Sequence, residues 1–285
     1  MSDGAFESLV EAWRRARPEL ALALPYLRGA ERQPRLALAC LEQQWLETTY
    51  GVAENEVAAA KLGWWLEELE AARLGRARHP FTQVLFADDR ARSLQMSLWQ
   101  APIQAALRLR DTPGGAADLA AQQARDAPLH EALARLETAL WFGPGAPAGR
   151  AAAASGLGHR LAALARLPEA PHAGAGPLPM NLLARHQLQL GALAQDDPLL
   201  AAAVRDQLDA LDCAWTRAQK LVGPLSLLRA LAERADRRLL RQARRDRQPL
   251  RRLSLGPRRA GLGDALAAWR LARAVRGGAL DNRRH

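Results

Sequence analysis

The chain has 285 residues, 49% of them hydrophobic, which sets it among globular proteins and gives it enough length to bury the core of one large domain. Its net charge of +10 is unevenly spread: residues 1–228 hold 23 Lys and Arg against 25 Asp and Glu, whereas residues 229–285 hold 17 Arg against 5 acids. No apolar run approaches the ~18 residues of a membrane span, the start MSDGAFESLVEAW lacks the apolar stretch of a signal peptide, and the lone Cys40 and Cys213 have no zinc-ligand spacing. The expectation is a cytoplasmic protein with two reduced thiols.

Ala, Leu and Arg dominate, while the strand formers Val, Ile, Thr and Tyr are scarce, so the chain is expected to be all-α. In chain order the pattern predicts helices over Phe6 to Arg17, stopped by Pro18, and over Pro34 to Tyr50. Asn55 to Leu74 follows, with Val57, Leu62, Trp65 and Leu69 near helical spacing and Gly75 as its stop. A helix begins at His79 to Leu85, and the segment after Asp88 continues to Leu109. Thr112-Pro-Gly-Gly115 breaks the pattern. Ala116 to Phe142 reads as helix interrupted at Pro128, and Arg150 to Arg166 as an Ala-rich helix. Pro/Gly-rich loops occupy Gly143 to Gly149 and Leu167 to Pro179. Leu182 to Leu193, Leu199 to Leu221, Leu225 to Arg247 and Leu262 to Val275 complete the helices, with a break over Pro249 to Pro257. Neither loop separates segments of different composition, so 1–285 reads as a single domain with a basic C-terminal part from about 229.

Few residue patterns promise chemistry. The six histidines show no metal-ligand spacing, and there is no GxSxG, P-loop or dinucleotide fingerprint. Asp88-Asp89 and Asp196-Asp197 suit helix caps. Asp206, Asp209 and Asp212 span about 120° of one helix and read as a solvated stripe paired with Arg205 and Arg217.

One segment is more specific. Lys61-Leu-Gly-Trp64-Trp65, with Leu69, Gly75 and then His79-Pro80-Phe81, resembles the KLxWWR…L…G…HPV signature of the squalene/phytoene synthases. Pro34 to Leu41, Leu178-Pro179 with Leu182 to His186, and Pro249 to Ser254 with Trp269-Arg270 resemble further family segments in order. The resemblance implies an isoprenoid-synthase-like helical bundle around an apolar cavity. Read without it, Trp64 and Trp65 are packing residues, Lys61 a surface cation and His79 part of a turn.

The family's chemistry, ionisation of an isoprenyl diphosphate, needs carboxylate pairs to hold magnesium against the leaving pyrophosphate. The first motif falls at Leu46, Glu47 and Tyr50, where one acid remains. Glu42 stands about 140° round the helix from Glu47, so the two do not converge on one ion. The second falls within 157–179, where Glu169, following Arg166, is the only acid, among helix-breaking prolines. Leu66 replaces the signature's arginine. The sequence therefore implies a non-catalytic member, without a cofactor, that acts by binding or assembly. A respiratory complex I assembly factor that resembles a phytoene synthase and lacks the aspartates offers a precedent.

The expected partners are an isoprenoid-like apolar ligand, an unidentified protein, or an anionic membrane surface facing Arg237, Arg238, Arg241, Arg244 and Arg245. The alternatives are an active magnesium-dependent prenyl transferase using displaced acids and a nucleic-acid binder. The last is disfavoured because Trp269 is the only aromatic residue after 228.

Overall fold

The computed structural model describes residues 3–27, 29–112, 114–167, 176–189, 197–256 and 262–276, and among these there are helices and no strands. The fold is all-α. The helices are α1 (Asp3–Ala16), α2 (Arg32–Gly51), α3 (Asn55–Arg73), α4 (Pro80–Ala87), α5 (Asp89–Ser93), α6 (Met96–Arg110), α7 (Leu119–Phe142), α8 (Gly149–Ala165), α9 (Met180–Arg185), α10 (Pro198–Ala218), α11 (Leu227–Arg245), α12 (Pro249–Ser254) and α13 (Leu262–Arg276). Pro18–Tyr26, for which the sequence suggested no element, forms a 3-10 helix packed on α11 and α13.

Helix α3 runs unbroken and stops where expected. Leu74 is its C-cap, and Gly75 follows at φ 73°, a left-handed turn that a side chain would strain. Asp88 and Asp197 cap α5 and α10 by accepting from Arg90 N and Leu199 N.

Four expectations are corrected. Pro128 does not interrupt α7, because one lost backbone hydrogen bond is outweighed by a helix that buries Leu129, Leu133, Leu136 and Leu140 between α6 and α8. Pro249 starts helix α12 instead of a break, since a first-turn proline gives up no hydrogen bond. The segment after Asp88 is two helices separated at Leu94-Gln95. The helix expected over Leu182 to Leu193 is the short α9 as far as Arg185, and 190–193 lie outside the described residues.

Two large apolar clusters, with a small third around Ala134, Ala151, Leu225 and Ala230, hold the described residues together. One gathers α1 to α7, with Trp45 and Trp99 fully buried; the other gathers α8 to α12 around Trp215. Each large side chain fully buried in this way contributes roughly 1.5–3 kcal/mol. Helix α11 joins both, placing Leu227, Leu228 and Leu231 in the first and Leu239, Leu240 and Ala243 in the second. A cavity opens along it, between the clusters.

Candidate functional site

The cavity has a volume of about 540 Å³ and lies between α2, α8 and α11, with α1, α7, α12 and the 3-10 helix completing the wall. Volumes of this order suit one small apolar ligand. Described residues of both segments in which the family resemblance would put aspartate motifs line it. Glu42, Leu46, Glu47 and Tyr50 line it from α2, and Gly158, His159, Ala162 and Arg166 from α8 and its C-cap. Glu169 lies outside the described residues.

The carboxylates on this wall are mostly claimed by arginines. Arg229, on the first turn of α11, donates to Glu42 Oε2 at 2.7 Å and to Glu137 Oε2 at 2.9 Å, and Ser226 Oγ donates to Glu137 Oε1 at 2.5 Å. Burial pushes the Glu42 carboxyl up to about 7, with Arg229 opposing that shift and Glu137 adding to it. Glu47 is exposed and accepts from Gln43 Nε2 at 2.6 Å. Arg17 pairs with Glu19 at 2.5 Å, and Glu233 with Arg150 at 3.3 Å.

These donors do not fit a magnesium cluster. Glu42 is held by a guanidinium, Glu47 stands alone at the rim, and no three His, Cys, Asp or Glu are placed to hold a metal ion among the described residues. Where the second motif would add carboxylates, α8 presents His159, stacked on Tyr50 at 3.7 Å between ring centroids. Burial, together with nearby His130, Arg166 and Arg125, holds His159 neutral, and burial lifts the Tyr50 hydroxyl to about 12. Behind this pair His130 Nδ1 meets Ser155 Oγ at 2.9 Å, but burial drops His130 to about 3, so it is a weak base for activating that serine.

Asp236 differs from its neighbours. It lines the cavity from α11 opposite Gly158 and makes no hydrogen bond or ion pair among the described residues. Burial raises its carboxyl to about 6, against the fields of Arg17 and Arg229. The folded-state value thus lies above the unfolded one, so the charged form costs stability above about pH 6 and the cost vanishes below about pH 4. Asp236→Asn is therefore expected to stabilise the fold by on the order of 2 kcal/mol near pH 8 and by nothing near pH 4. Urea melts at the two pH values check this; an equal effect at both would contradict it.

The signature residues form a second group. Trp65 is buried, edge-to-face on Trp45, whereas Trp64 is 37% exposed and lines a surface groove with Lys61 and Glu47. Trp65 thus packs in the core and Trp64 at its rim, edge-to-face on Trp65 with ring centroids 4.9 Å apart. His79 caps α4, accepting from Phe81 N, and Pro80 opens that helix.

The C-terminal arginines separate. Arg244 pairs with Asp209 and Asp212, and Arg238 with Asp264 of α13, while Arg237, Arg241 and Arg245 make no ion pair among the described residues. Asp206 pairs with Arg185 and His186. The aspartate stripe is therefore held by α9 and α11 instead of Arg205 and Arg217, because α10 packs against both of those helices.

Against known proteins, the chain matches no protein-family model and no curated protein.

Proposed function

We propose that this chain is a non-catalytic relative of the squalene/phytoene synthases that binds an apolar, isoprenoid-like molecule in its central cavity. The observation that carries the reading is that the two segments which resemble the motif regions line one cavity, in which Glu42 and Glu137 are both bound to Arg229. Carboxylates so held are poorly placed to collect magnesium, and the apolar share of the wall remains for a hydrocarbon. Trp13 and Trp141 line the cavity and can report occupancy. Farnesol added without magnesium is expected to change tryptophan fluorescence saturably, and Ala162→Trp, which places bulk where α8 lines the cavity, is expected to weaken binding at least tenfold without lowering the melting temperature. No saturable response, or equal binding by the variant, would reject the reading.

A second reading places the domain at an anionic membrane surface. No described helix is long and apolar enough to cross a membrane. On α11, Arg234, Arg238, Arg241 and Arg245 fall within about 60° of one another at 100° per residue, and the neighbouring α13 exposes Leu266 and Trp269, with Arg273 over the indole at 4.9 Å. Each engaged arginine contributes roughly 1 kcal/mol, screened by salt. Vesicles containing phosphatidylglycerol are expected to co-sediment the protein at low salt. Arg241→Gln with Arg245→Gln should reduce this several-fold, and Arg244→Gln, whose arginine is internally paired, should not. Equal binding to neutral vesicles would reject the anchor, and preference for DNA would favour the nucleic-acid alternative.

A further inference from the structure

We propose that the cavity selects an apolar ligand bearing a protonated amine, with the Asp236 carboxylate as its counter-ion. This rests on the cavity being a ligand site and adds the chemistry of the ligand's head. Six acids and four arginines line the space, and the pairing among them is unequal. Arg229 is taken by Glu42 and Glu137, Arg17 by Glu19, and Arg35 by Glu31 at 2.9 Å. Arg166, exposed at the end of α8, is at the rim. Among the described residues, the interior therefore offers an incoming molecule no unpaired cation, and it offers one unpaired anion, Asp236.

The carboxylate is placed for use. A β-carbon at Gly158 would lie 2.5 Å from Asp236 Oδ2, so the glycine leaves the space that the carboxylate occupies against α8. Its oxygens are absent from the buried atoms that lack a partner, so they keep accessible surface, and the residue lines the cavity. Arg17 and Arg229 act on it through space without bonding to it. Leu161, Leu239 and Leu253 also line the cavity and offer an apolar bed for a chain. An anionic head would meet an unpaired carboxylate in a poorly hydrated space, which is costly, whereas an ammonium group would supply the missing partner. The overall charge of +10 repels a cation in bulk, so preference for an amine would have to arise locally.

The test is a calorimetric series with one alkyl chain and three heads: dodecylamine, dodecanol and dodecanoate, each below its micelle concentration. The amine is expected to bind at least tenfold more tightly than the alcohol, and the carboxylate most weakly. Asp236→Asn should bring the amine to the level of the alcohol and leave alcohol binding unchanged; Asp236→Glu should retain part of the preference. Equal binding of amine and alcohol, or an amine preference surviving Asp236→Asn, would overturn the assignment while leaving the cavity reading intact. Failure of all three ligands to bind would overturn both.

Discussion

Replacing Arg229 with methionine is expected to lower the unfolding free energy by about 4 kcal/mol at neutral pH. The guanidinium is buried between Glu42 and Glu137, and burial of the three groups is tolerable only because the charges meet at 2.7 and 2.8 Å. Methionine preserves the apolar stem and removes the charge, leaving two carboxylates facing one another without a cation. The loss should shrink as the pH falls, since both can then take protons. Adding Glu42→Gln and Glu137→Gln should recover most of the stability, because the penalty comes from uncompensated charge and not from lost volume. Urea denaturation across these variants measures it. A loss below about 1 kcal/mol in Arg229→Met would mean that the triad carries little energy.

The second large effect is expected at Glu68. Its side chain is fully buried, yet it accepts from Arg78 N at 2.8 Å, His79 N at 2.9 Å, Thr82 Oγ1 at 2.6 Å and Arg78 Nε at 2.9 Å. It thereby fixes the turn that delivers the chain from α3 into α4. Burial pushes its carboxyl upward, but these hydrogen bonds outweigh burial and hold it below the ordinary value of 4.5. The folded state thus favours the charged form. The stability this gives is present above the ordinary carboxylate range and is lost as pH falls through and below it. Glu68→Leu strands several donors and is expected to cost about 3 kcal/mol or more; Glu68→Gln, which keeps one acceptor, should cost about 2. The Gln variant should also lose part of the wild type's sensitivity to acid. Thermal melts from neutral to acid pH give both results, and a Gln variant as stable as wild type would contradict the account.

Glu68 shows where the sequence could have said more. It falls on the same stripe of α3 as Leu62, Trp65, Leu69 and Ala72, all buried. An acid on an apolar stripe is itself a signal, as is Glu137 among Leu133, Leu136 and Leu140 on α7. The partners carry no such local mark. Arg229 lies 187 residues from Glu42, and only the meeting of α2, α7 and α11 makes them a unit.

Helix positions were readable because Pro, Gly and Asp punctuate them, as at Gly75 and Asp197. At Pro128 packing overrides punctuation, and the 3-10 helix at Pro18–Tyr26 has no periodicity to announce it. Glu47 and Arg166, from the two segments that the family resemblance singles out, line one cavity. That Asp236 is the cavity's unpaired interior carboxylate required the surrounding side chains.

The most direct test of the central claim is pyrophosphate release from farnesyl diphosphate by the wild-type protein, with magnesium and with a chelator. The account predicts the no-protein background in both, because the carboxylates needed to gather the ions are absent from α8 and engaged on α2. Magnesium-dependent release above background, abolished by Glu47→Ala, would contradict it.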